Sequence, residues 1–274
     1  MADSNAKKWI DLGIWGKGMD GFKLPPSVEL AGKELILSFE RDKQIINCFF
    51  NGPKSLTWRV LKGAGSGVSE SVTYESIRVA PDIYFVDFVK TDKPGESVSM
   101  ALDLRTAQAT VVTATLPDIK TAEKSFLKRL EQGVDLSLIK VKFQHAKVNT
   151  VSKTSVISHR KTTDLVGKRI KYTYSDQHVY EHIYLNDRMY TWHCLVGLEK
   201  GLADTEVCDY FKIAPEIYLF VWREKILPTF GAVIIDLKEM RSNGKTFGLD
   251  ISTGKYINFA MGARAELLNV TRYS

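Results

Sequence analysis

Apolar, aromatic and β-branched residues come along this chain in short runs, each bounded by turn-forming residues. Leu35–Phe39, Tyr84–Val89, Ser97–Leu104, Tyr172–Tyr174, Tyr180–Leu185, Tyr218–Trp222 and Ala232–Leu237 each read as a strand. Asn51-Gly-Pro, Gly63-Ala-Gly-Ser-Gly67, Asn186-Asp and Asn243-Gly mark turns between such runs. Many short strands at this spacing predict an all-β barrel or sandwich. One stretch follows another period. Ala122, Phe126 and Leu130 recur at helical spacing and Gly133 follows as a stop, which predicts one short helix near 121–132.

The pattern then repeats. Leu30-Ala-Gly-Lys33 returns as Leu165-Val-Gly-Lys168, Thr57-Trp58 as Thr191-Trp192, Ala80-Pro-Asp-Ile-Tyr84 as Ala214-Pro-Glu-Ile-Tyr218, and Asp103-Leu104 as Asp236-Leu237. A register that holds over such a span predicts two copies of one fold. The first copy covers 25–150, a Ser-, Thr- and Lys-rich linker covers 151–161, and the second copy covers 162–274. The predicted helix has no counterpart in the second copy and reads as an insertion in the first. Residues 1–24 lie outside the repeat. Trp9, Ile10, Leu12, Ile14, Trp15 and Phe22 make this segment apolar enough to cover a barrel end or the interface between the copies. Its glycines do not follow a strand into a helix, so they form no nucleotide fingerprint.

With 274 residues, each copy has enough chain to bury its own core. No apolar run reaches the ~18 residues of a membrane helix, and the first residues lack the apolar stretch of a signal peptide. The expectation is a cytoplasmic protein with no membrane partner, a monomer or a homodimer. Cys48, Cys194 and Cys208 are an odd set without metal-ligand spacing, as expected for buried thiols. The net charge of +6 concentrates between Lys140 and Lys171, where nine Lys and Arg residues face Asp164 alone. No aromatic-rich nucleic-acid motif accompanies that run, so it reads as a solvated junction rather than a nucleic-acid surface.

Comparing the copies locates the chemistry. Leu37 and Phe39 become Tyr172 and Tyr174; Phe88 becomes Trp222; Lys90 becomes Glu224; Arg59 becomes His193. The first copy therefore reads as a solid apolar core, and the second as the equipped one. Strand alternation puts Tyr172 with Tyr174, Tyr180 with His182 and Tyr184, and Tyr218 with Phe220, Trp222 and Glu224. Such a row of aromatics ending in a carboxylate suits a pocket for an apolar or aromatic small molecule. Glu224 buried among aromatics would hold its proton to higher pH, as general acid–base work requires. Its neighbours Arg223 and Lys225 leave a surface placement open. His182 and His193 share a face only if Asn186-Asp187 is a two-residue turn; one more turn residue sets His182 opposite Trp192 instead. Their spacing from Cys194, Glu206 and Cys208 matches no metal site, so neither metal nor cofactor is expected.

The chain resembles the MoaF family over nearly its whole length. Glu181-His-Ile-Tyr-Leu, Tyr190-Thr-Trp-His-Cys, Gly201-Leu-Ala-Asp-Thr-Glu206 and Ile213 through Lys225 carry the C-terminal likeness. Trp9 through Phe22, Leu24-Pro-Pro26 and Glu29-Leu-Ala-Gly-Lys33 carry the N-terminal one. That resemblance implies two tandem lipocalin-like (calycin) antiparallel barrels. It also implies a connection with molybdenum cofactor biosynthesis, after which the family is named. The second copy is more distantly similar to the phenolic acid decarboxylases, cofactor-free single barrels. The likeness runs through Tyr172-Thr-Tyr174, Tyr180-Glu181, Asn186-Asp187 and Val221-Trp-Arg-Glu224. It implies carboxylate anchoring by Tyr172 and Tyr174 and proton transfer by Glu224. The arginine essential to that family is missing here, where the chain reads Gly201-Leu-Ala-Asp204.

The function expected is a cofactor-independent lyase or isomerase/cyclase acting on an apolar or aromatic metabolite in the second barrel. Glu224, His182, Tyr174 and Tyr172 are the expected catalytic groups. Tyr180, Trp192, His193, Tyr218 and Trp222 are the expected binding groups. The alternative is a non-catalytic binding or accessory protein in pterin–molybdenum cofactor metabolism.

Overall fold

The computed structural model describes residues 11–133, 135, 137–149 and 159–272; Trp9, Ile10 and linker residues 151–158 lie outside them. Two closed eight-stranded antiparallel barrels follow one another. The first comprises β1 (Glu34–Phe39), β2 (Gln44–Phe50), β3 (Ser55–Lys62), β4 (Ser69–Ala80), β5 (Ile83–Val89), β6 (Glu96–Asp103), β7 (Gln108–Thr115) and β8 (Lys140–Val148). Pairing of Leu37 with Val148 closes it. Ahead of it lies a single helical turn, α1 (Leu12–Trp15), capped by the Asp11 carboxylate.

A two-residue strand, β9 (Arg160–Lys161), leads into the second barrel and adds to its fourth strand. The end of the expected linker is thus part of the sheet. The second barrel runs β10 (Lys168–Ser175), β11 (His178–Tyr184), β12 (Met189–Val196), β13 (Ala203–Ala214), β14 (Ile217–Arg223), β15 (Thr229–Asp236), β16 (Arg241–Asp250) and β17 (Lys255–Val270). Tyr172 opposite Ala265 and Trp192 opposite Asp204 close the circle. Trp58 and Trp192 both sit on third strands, and Tyr84 and Tyr218 on fifth strands, as internal duplication requires.

The inserted helical segment differs in detail from expectation. It consists of two short helices, α2 (Ile119–Ala122) and α3 (Phe126–Glu131), between β7 and β8. Asp118 caps the first, and the Ser125 hydroxyl accepts the Lys128 N–H at the start of the second. A new N-cap inside the periodic run splits it in two.

Three apolar clusters hold the molecule together. Two fill the barrel interiors. The third joins the barrels, packing Ile83 and Phe85 with Leu219, Val221, Phe230 and Ile234. The strand Ile217–Trp222 is accordingly buried on both faces, which is why it reads as an unbroken apolar run rather than alternating. An apolar interface of this kind resists reorientation of the barrels. Lys245 and Asp87 form an ion pair inside it, and Asn258 donates to the other Asp87 oxygen at 2.8 Å. Within the basic run between Lys140 and Lys171, Lys142 pairs with Asp42, Lys147 with Glu40, Lys161 with Asp209, Arg169 with Glu181 and Lys171 with Glu266. No helix among the described residues is long and apolar enough to cross a membrane.

Candidate active site

At the end of the second barrel where β10, β12 and β14 finish, a cavity of about 40 Å³ opens among Tyr174, Tyr180, His182, Tyr190, Trp192 and Trp222. Glu199 from the β12–β13 loop and Glu224 from the end of β14 supply its carboxylates. Leu12, Trp15 and Met19, ahead of the first barrel, roof it. The Trp15 indole N–H donates to Glu199 Oε2 at 3.0 Å and lies 3.0 Å from the Tyr180 hydroxyl, which donates to the same oxygen at 2.9 Å. Gly262 makes the roof possible. A Cβ there would lie 2.1 Å from the Lys23 backbone, and its N–H donates to Met19 O at 2.9 Å.

Glu224 is half-buried, and the two cations beside it in sequence are engaged elsewhere. Arg223 binds Asp209 at 2.9 Å and Lys225 binds Asp204 at 2.9 Å. Burial, followed by repulsion from Glu199, pushes the Glu224 carboxyl up to about 8. Across the sheet, buried Glu206 is pushed up to about 9, first by burial and then by Glu224. His182 is buried against Tyr172, with ring centres 4.7 Å apart, and burial lowers it to about 3. Its Nδ1 has no hydrogen-bond partner among the described residues. Near neutral pH the cavity thus holds a carboxylic acid and a neutral imidazole.

The β11–β12 hairpin decides the histidines. Asn186, Asp187 and Arg188 form a three-residue loop, with the Asn186 side chain accepting the Arg188 and Met189 N–H groups at 2.9 Å. His182 therefore pairs with Trp192, and His193 with Glu181. His193 is on the opposite face, its Nδ1 2.8 Å from Glu181, and does not line the cavity. Two expected tyrosines are also outside it. Tyr172 binds the Tyr184 hydroxyl at 2.8 Å behind His182. Tyr218 donates to Asp164 at 3.2 Å, next to Lys212. That last arrangement copies Tyr84, Glu29 and Arg78 of the first barrel, so Tyr218 belongs to the duplicated scaffold. Glu224, His182, Tyr174, Tyr180, Trp192 and Trp222 do come together. Sequence reasoning missed Tyr190 and Glu199, and it left open whether the N-terminal segment covers a barrel end or the interface; Leu12 and Trp15 line the end of the second barrel. Tyr190 was within reach, because it shares the Trp192 face of β12.

The expectation of a solid first barrel is overturned. Its cavity measures about 390 Å³, far more than the second barrel's, and Leu37, Phe39 and Phe88 line it rather than fill it. The second barrel is the tighter of the two because its tyrosines are larger than the first copy's aliphatic residues and because the roof closes its mouth.

A family model for the MoaF C-terminal domain matches residues 159–271, and one for the MoaF N-terminal domain matches 7–118. Protein MoaF of Klebsiella aerogenes is 42% identical over 204 residues, covering 73% of this chain and 75% of that protein. The chain belongs to the MoaF family. Among solved structures, a putative beta-lactamase from Burkholderia vietnamiensis is 17% identical with a TM-score of 0.33, covering 40% of this chain and 99% of that one. In this MoaF-family chain the C-terminal domain match contains all the strands of the second barrel, and the N-terminal match takes in the roof segment. Among the described residues no arginine lines the second cavity.

The raised carboxyls make stability depend on pH in a defined direction. In the unfolded chain Glu206 and Glu224 ionise near 4.5, whereas in the folded protein they hold their protons to about 9 and 8. Their contribution is complete below 4.5 and is lost as pH rises through the folded values. Thermal melts should show Glu206→Gln and Glu224→Gln flattening the decline of Tm between pH 5 and 9. A decline identical in both variants and the wild type would contradict this.

Proposed function

We propose that the second barrel is a proton-transfer site, a cofactor-independent lyase or isomerase/cyclase for a small apolar or aromatic metabolite. The observation that supports it is the Glu224 carboxyl in an aromatic cavity, its neighbouring cations turned away and His182 on the same wall. Environments that drive two titratable groups apart assign their roles. Glu224 holds a proton to give, and His182 Nδ1 is the acceptor or anchor for a substrate hydroxyl or carbonyl. Tyr174 and Tyr190 add hydroxyl-bearing walls, and Trp192 and Trp222 add stacking surface.

The cavity has room for about three waters, so a metabolite fits only if the Trp15 roof shifts. Losing the Trp15–Glu199 hydrogen bond in exchange for substrate contacts couples binding to closure. The test is incubation of the protein with a small-molecule extract of its source cells, followed by mass spectrometry. Disappearance of one compound with growth of an isomer, or of a product lighter by a small neutral molecule, supports catalysis. A compound that co-purifies in native mass spectrometry and emerges unchanged supports the second reading, an accessory binding role in pterin–molybdenum cofactor metabolism. Membership of a family linked to that metabolism favours the second reading.

A further inference from the structure

The first barrel keeps, open and apolar, the space that the second fills. Leu37, Phe39, Cys48, Phe88, Met100 and Val111 are among the walls of its cavity of about 390 Å³. Apolar interiors ordinarily close to crystal-like density, and sites for organic ligands measure about 300–1,000 Å³. The mouth lies at the end equivalent to the second barrel's, beside the Gly63–Gly67 loop, and among the described residues no helix and no residue ahead of β1 lines it. Among the described residues, Lys90 and Lys93 are the charged ones lining this cavity, and no carboxylate lines it. Glu96 binds Lys90 at 2.6 Å and Lys93 at 3.6 Å, and Glu70 accepts the Thr91 and Asp92 N–H groups of the same turn; none of these carboxylates is among the lining residues, so the charges that face the cavity are the two ammonium groups.

Lys90 follows β5 as Glu224 follows β14. The duplication has therefore placed opposite charges at one position of two cavities. We infer that the first barrel is a second, independent binding site, selective for an anionic amphiphile whose apolar body fills the barrel and whose acidic head meets Lys90 and Lys93. A carboxylate and a sulfonate or phosphate monoester head share the needed chemistry. A cationic head would be repelled, because charge in a partly shielded mouth selects partners by sign.

The test uses the intact protein, labelled with ¹³C at the methionine methyls. Met100 lines the first cavity and Met261 the second, so the two signals report the two barrels separately. Decanoate is expected to shift Met100 and leave Met261 in place, with calorimetry giving at least about tenfold tighter binding than decylamine, a sign-selective effect. Dodecyl phosphate added in parallel distinguishes the head groups. Val111→Trp, which fills the barrel, should abolish binding. Lys90→Glu should reverse the preference toward decylamine, and because Lys90 is at the rim this variant serves even if Val111→Trp does not fold. Equal binding of decanoate and decylamine would overturn the proposal, as would a shift of Met261 alone or no binding at millimolar decanoate. None of these outcomes bears on proton transfer in the second barrel.

Discussion

Glu224→Gln is expected to leave the fold and the cavity intact while lowering turnover about 10²–10⁴-fold, the usual contribution of a general acid or base. The amide keeps the shape and the hydrogen-bonding reach of the side chain but has no proton to transfer. The sign of the pH dependence follows from the protonation state. Glu224 acts as an acid only while protonated, so wild-type turnover should hold below pH 8 and fall as pH rises through the folded value of about 8. Residual turnover of the glutamine variant should lack that alkaline limb. Glu206→Gln is the control, because Glu206 does not line the cavity: its Oε2 accepts the Lys225 N–H at 2.9 Å. Rates within about threefold of wild type for Glu224→Gln, set against the 10²-fold minimum, would move proton transfer to His182 or end the catalytic reading.

Asp87→Ala should destabilise the protein by about 3–5 kcal/mol in urea or thermal unfolding, the typical result of removing one partner of a buried ion pair. Lys245 is 1% exposed. Burial pulls its ammonium below the usual lysine range, and Asp87 opposes that pull. Without Asp87 the lysine must either lose its proton or draw water into the adjoining cavity of about 140 Å³. Because the pair bridges the barrels, the lost stability should appear as one cooperative transition. Asp87→Leu combined with Lys245→Met should recover most of it, since apolar residues of similar volume commonly replace buried ion pairs at little cost. A loss under about 1 kcal/mol, the scale of an exposed pair, would show that water already serves Lys245.

The strands and the duplication were legible because both depend on local period and constant spacing, and most aromatics of the second site followed from strand alternation. What was hidden depends on quantities that spacing does not carry. The face of His193 turned on a single residue in the Asn186–Arg188 loop. Tyr172 faces the expected way, but its hydroxyl goes to Tyr184 rather than to the cavity. Tyr218 was readable after all. It matches Tyr84 in the other copy, and residues shared by both copies build scaffold. The cavity in the first barrel was misread because its apolar residues were counted as filling material. Whether Leu37 and Phe88 meet across a barrel depends on the circumference of the closed sheet, which no single strand reveals.

The roof of the second barrel has a consequence for how the protein is made. Met19 and Lys23 dock on Gly262 and Asn243 holds the Leu24 N–H at 2.7 Å, yet the whole first barrel is synthesised between these partners. The roof segment leaves the ribosome early and has no seat until β16 and β17 follow. Contacts of such long sequence separation form late. Each newly made molecule therefore passes through a stage with the first barrel complete and Trp15 unplaced.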